Sequence, residues 1–108
     1  DERTGIIEAF IRKEIPENWE QLSVRQRRDY FQIGNSGDIT SMVPLQRRTA
    51  ITAVEVLAEC FGQPIDERTR YRTREINQIL RGFGWLRSVG LKYDKMYGRQ
   101  RTFEVTEQ

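Results

Sequence analysis

Four apolar residues, Ile76, Ile79, Leu80 and Phe83, recur at i, i+3, i+4 and i+7, the spacing that turns one stripe of a helix toward a core. Arg74, Asn77, Gln78 and Arg81 repeat at the same spacing on the opposite side, and that stripe holds no carboxylate. The pattern predicts a helix over 73–81, TREINQILR, closed by Gly82 or Gly84. Upstream, Thr52-Ala53-Val54-Glu55 reads as a capping box, and Val54, Leu57, Ala58 and Phe61 carry an apolar helical stripe onward from it. Gly62 stands where a left-handed C-cap belongs, with Pro64 shortly beyond. A loop from Gln63 to Arg72 then leads to the polar-faced helix. After Trp85 the period shortens. Residues 85–89 and about 96–105 are rich in aromatic and β-branched side chains around Gly90 and Asp94, which predicts a hairpin. A strand around Arg48–Ile51 is a further option.

The first third is helical by the same criteria. Ile6, Ile7, Phe10, Ile11 and Ile15 predict an amphipathic first helix, ended by Pro16 because a residue before proline is pushed out of the helical region. Ser23-Val24-Arg25-Gln26 is a second capping box, opening a helix that runs to about Gln32. The turn-rich run Gly34-Asn35-Ser36-Gly37-Asp38 marks a boundary. The expected organisation is a helical arm at 1–33, a linker at 34–46 and a winged helix-like domain at 47–108. In fold class this is mainly α with a small β-hairpin, a winged helix-turn-helix preceded by an N-terminal helical arm. A plain helical bundle with a β-ribbon is the alternative.

Charge changes the picture. Residues 1–46 carry a net charge of −2, whereas residues 68–101 hold ten basic side chains against Glu75 and Asp94, a net of +8. Segregated positive charge points to a polyanionic partner, because a surface charged only for solubility mixes both signs. Most of it is arginine, whose planar fork grips phosphate and stacks on bases.

Composition limits the rest. At 108 residues and 37% hydrophobic content, the chain makes one domain, or one domain with an arm. No apolar run approaches the ~18 residues of a membrane span. The opening Asp-Glu-Arg lacks a signal peptide's apolar region, and the missing initiator Met suggests a piece of a longer protein. Cys60 is the only cysteine, so no internal disulfide forms and a cytoplasmic setting is expected; its apolar surroundings make it a core residue.

The candidate chemistry is non-catalytic. The chain has no phosphate-binding G-x-x-x-x-G-K-[ST] loop, and with no histidine it has no His-based acid–base catalysis or metal ligation. Glu55 and Glu59, one turn apart, read as the solvated edge of their helix. No enzyme, cofactor or metal site is expected.

The runs IPENWEQLSVRQRRDYF, TAVEVLAECFG, TREINQILRGFGW and MYGRQRTF together resemble the C-terminal region of the virulence-associated protein E family of phage and mobile-element primase-helicases. The shared features are Ile15-Pro16-Glu17-Asn18-Trp19, Arg27-Arg28, Glu59-Cys60-Phe61-Gly62, Ile76-Asn77, Gly84-Trp85 and Tyr97-Gly98-Arg99-Gln100-Arg101-Thr102-Phe103, in order over nearly the whole chain. The resemblance implies a tail domain that follows a superfamily 3-like helicase ATPase in a parent replication protein, in a bacterial or phage-infected cell.

Two functions follow as expectations. In the first, duplex DNA is bound, with Arg74, Asn77, Gln78 and Arg81 in the major groove, where forked donors and acceptors match guanine and adenine edges. Arg68, Arg70 and Arg72, just ahead of the helix, would hold the backbone, and Lys92, Lys95, Arg99 and Arg101 of the hairpin would meet phosphates or the minor groove. Tyr71 and Tyr93 offer faces for stacking on single strands, or edge the core. In the second, the module docks on the remainder of the helicase chain, or self-associates through residues 1–32. Trp19 and Trp85 read first as packing residues.

Overall fold

The computed structural model describes residues 2–33 and 44–106. The turn-rich run at 34–38 and most of the expected linker lie outside them. Helix α1 (Thr4–Arg12) buries Ile7, Phe10 and Ile11 on one face. It stops at Arg12, four residues short of Pro16. Ile15–Pro16 forms a short strand, β1, antiparallel to β2 (Leu45–Gln46), so Ile15 is not part of the helical stripe. A 3-10 turn (Trp19–Gln21) leads to α2 (Val24–Ile33), whose first turn is closed by the expected box. There Ser23 Oγ accepts from the Gln26 amide at 3.2 Å, and the Gln26 side chain accepts from the Ser23 amide at 2.9 Å.

Strand β3 (Ala50–Thr52) runs into α3 (Ala53–Glu55) through the second capping box, complete in both directions. The chain then widens into a π-helical turn, Val56–Cys60, in which the Phe61 amide donates to the Val56 carbonyl at 3.1 Å. All five of its residues are buried. Gly62 ends it at φ +66°, with the Gln63 amide donating back to Leu57 at 2.9 Å. A Cβ at this position would stand 3.0 Å from Arg28 Cδ.

Helix α4 (Thr69–Gly82) begins four residues before the expected start. Asp66 and Thr69 nucleate it: Asp66 Oδ1 accepts from the Arg68 amide and Thr69 Oγ1 from the Asp66 amide, both at 2.8 Å. Strands β4 (Leu86–Asp94) and β5 (Gly98–Val105) follow as a hairpin. β5 lies between β3 and β4, with a bulge on β4 between Ser88 and Leu91 that uses Gly90 at φ +87°.

The mainly α expectation, a winged helix-turn-helix behind a helical arm, is corrected. Among the described residues helices take 45% and strands 26%, in two small antiparallel sheets, which makes an α+β globule. The difference arises because the hairpin strands are long, β3 joins them, and β1 pairs with β2 across a long sequence separation. Ile7, Phe10 and Ile11 of the first segment share one core with Ile51, Leu57, Ile76, Leu80 and Phe103. Burying three such side chains is worth at most about 5–9 kcal/mol, against a typical net stability of about 5–15 kcal/mol. Helix α1 is therefore a structural part of this core. A satellite cluster of Ile15, Trp19, Leu22 and Tyr30 sits beside it.

Candidate nucleic-acid interface

Helix α4 presents its stripes as the spacing requires. Ile76 and Leu80 are buried, while Arg70, Arg74, Gln78 and Arg81 are exposed. Two expected contacts are drawn away from this surface. Arg72 lies in the helix, turned toward its core side, with Nη1 shut from solvent 3.9 Å from Asp66 Oδ2. Asn77 is half-buried, and its Oδ1 is enclosed without a hydrogen-bond donor among the described residues. Arg68 stands at the N-cap position without a side-chain capping bond and Arg70 belongs to the first turn, so neither sits in a preceding loop.

Lys92, Lys95, Arg99 and Arg101 on the hairpin are all exposed. Of the ten basic residues between 68 and 101, Arg72 pairs with Asp66 and Arg87 with Glu104, the latter at 3.1 Å. The other eight form no ion pair among the described residues. Glu75, the one carboxylate on α4, faces Arg3 at 3.2 Å. The two hairpin strands and α4 are linked by strand alternation. Phe103 packs with Ile76 and Leu80, and β5 is unbulged from Gly98 to Val105, so Arg99 and Arg101 share the Phe103 face of the sheet.

Tyr71 and Tyr93 do not edge the core. They are 67% and 78% exposed, the most open of the large apolar side chains among the described residues. The other two tyrosines are spent differently: Tyr30 donates to the Glu14 carbonyl at 2.8 Å and Tyr97 to Glu59 at 2.6 Å. Trp19 is buried against Tyr30, and Trp85 stacks on Phe83 at 4.9 Å beneath the Arg12 guanidinium.

A second charged group went unread in the sequence. Glu59 is fully buried, not a solvated edge. Its Oε2 accepts from Arg27 Nη1 at 3.1 Å and from Tyr97 Oη, while Oε1 has no donor among the described residues. Arg27 also donates Nε to the Trp19 carbonyl at 3.0 Å. Arg48, equally enclosed, lies 3.6 Å from Glu55 and stacks over Phe10 and Trp19. Desolvation, then the neighbouring Glu59 charge, pushes the Glu55 carboxyl up to about 7, against the pull of Arg48 and the Thr52 hydroxyl. Burial lowers the Arg48 guanidinium from its ordinary value, and burial followed by the Glu59 charge raises the Tyr97 phenol. A cavity of about 230 Å³ opens beside these groups, but its Arg27, Arg47 and Arg48 are matched by Glu20, Glu55 and Asp94. The balance leaves no surplus charge for an anion, so this network ties α2, α3 and the hairpin together.

Among the described residues no group of three or more His, Cys, Asp or Glu side chains could hold a metal ion, and no helix is long and apolar enough to cross a membrane. No protein-family model and no curated protein matches the chain.

Proposed function

We propose that this chain is a non-catalytic, duplex DNA-binding module of a phage or mobile-element replication protein working in the bacterial cytoplasm. The setting rests on the resemblance to the virulence-associated protein E family. The binding reading rests on one observation: eight solvent-facing cations on α4 and the hairpin have no intramolecular counter-ion among the described residues. Leaving that many guanidinium and ammonium groups unpaired serves a phosphate backbone, where each contact releases a condensed counter-ion.

On this reading Arg74, Gln78 and Arg81 approach base edges, Arg68 and Arg70 hold one backbone, and Arg99 and Arg101 hold the flanking phosphates. Anisotropy of a labelled duplex across a salt series tests it. Affinity should fall steeply with salt, and Arg74→Ala or Arg81→Ala should weaken binding about fivefold or more, while Arg25→Ala on α2 leaves it unchanged. Absence of binding even at low salt would overturn the reading in favour of docking on the rest of the helicase chain.

A further inference from the structure

The hairpin carries more than charge. The register pairs Leu91 with Arg101 and Tyr93 with Arg99, and alternation puts all four side chains on one face. That face continues past Phe103, where the core ends. Leu91 is 54% exposed and Tyr93 78%. The Tyr93 ring has no aromatic partner and no cation over it among the described residues, unlike Trp19, Tyr30 and Trp85. A large flat ring left bare to solvent adds a stacking surface that charged side chains alone do not supply. Beside Arg99 and Arg101, which form no ion pair among the described residues, it offers what an unstacked base needs: a π-face with cations on the same side of the sheet.

From this geometry we infer that the Leu91–Tyr93/Arg99–Arg101 face binds unpaired bases of a DNA single strand. The module then recognises a duplex carrying a single-stranded extension, with α4 on the duplex and Tyr93 under the first bases of the tail. This rests on the duplex-binding reading above and adds the class of DNA end it prefers. Protein docking fits the face less well, since the exposed apolar area is only two side chains wide, Leu91 and Tyr93.

The test compares a blunt duplex with the same duplex bearing a short oligo(dT) tail that contains one 2-aminopurine, using the full chain. The tail should tighten binding by about fivefold or more, the range of one stacked base. Stacking should also quench the 2-aminopurine fluorescence. Tyr93→Ala should remove most of the gain that the tail gives and abolish the quench, and Tyr93→Phe should keep both. A tail that adds nothing, or a gain and quench that Tyr93→Ala leaves undiminished, overturns this inference while blunt-duplex binding sensitive to Arg74→Ala leaves the proposed function standing. Failure to bind either DNA overturns both.

Discussion

Replacing Glu59 by leucine removes the carboxylate at the centre of the buried network and leaves Arg27, 5% exposed in its side chain, without its counter-charge. Breaking a buried pair from one side costs about 3–5 kcal/mol, because the remaining charge stays in a low dielectric. The Tyr97 hydroxyl loses its acceptor as well, at about 1 kcal/mol. Against a net stability of about 5–15 kcal/mol, the sum of about 4–6 kcal/mol means that Glu59→Leu removes roughly a quarter or more of the folding free energy. For a chain of this size that corresponds to a fall of roughly 18–26 °C in Tm. Urea unfolding followed by tryptophan fluorescence reads the change, since Trp19 lies 5.4 Å from the Arg27 guanidinium. Adding Arg27→Met to Glu59→Leu should recover much of the loss, because an apolar pair replaces an ion pair at little cost; the freed Trp19 carbonyl keeps the recovery incomplete. A loss below about 1 kcal/mol for Glu59→Leu, as a solvated helix edge would give, refutes the network as a structural tie.

Two other outcomes are expected. The folded-state value of about 7 for Glu55, above its ordinary 4.5, means that the native state holds that proton more tightly than the unfolded chain. Its stabilising contribution is complete below about pH 4.5 and is lost as pH rises through 7, by up to about 3 kcal/mol, so urea midpoints should decline over that window and Glu55→Gln should flatten the decline; parallel profiles would contradict this. Burial pushes the Cys60 thiol up to about 12, opposed by Arg48. A disulfide reagent at pH 8 should therefore label Cys60 only as fast as the fold opens, and immediate stoichiometric labelling of the native protein would show the burial to be wrong.

What could be read from the sequence was local. The Ile76/Ile79/Leu80/Phe83 stripe, both capping boxes, the Gly62 terminus and the hairpin each depend on residues within one or two turns of each other, where periodicity and side chain–backbone bonding carry the signal. The missed features depend on partners distant in sequence. Glu59 looks like a surface residue beside Glu55 until Arg27, 32 residues upstream, and Tyr97, 38 downstream, are brought to it. Ile15 fits a helical stripe until Leu45–Gln46 offers β1 a partner. The early start of α4 was in principle readable, because Asp66 and Thr69 are good turn and cap residues, but the Arg-rich run that follows them hid it. Of the candidate interface, exposure matches the polar stripe except at Asn77, which is part-buried; Arg72, expected ahead of the helix, lies within it and is part-buried too.

The sheet order has a consequence for how the chain acquires its shape. Strand β5, the last described strand in the chain, is the middle strand of the sheet, paired on one side with β3, some 50 residues earlier, and on the other with β4. During synthesis from the N-terminus, β3 and β4 both wait with open hydrogen-bonding edges until Gly98–Val105 emerges. The closing step is therefore late and of high contact order, and it arrives together with Tyr97 and Phe103, the residues that fasten the hairpin to Glu59 and complete the core. A nascent chain halted before Gly98 would expose two unpaired strand edges and an open apolar face. In this protein the closing of the sheet and the assembly of the hairpin's basic surface are one event, set by strand β5.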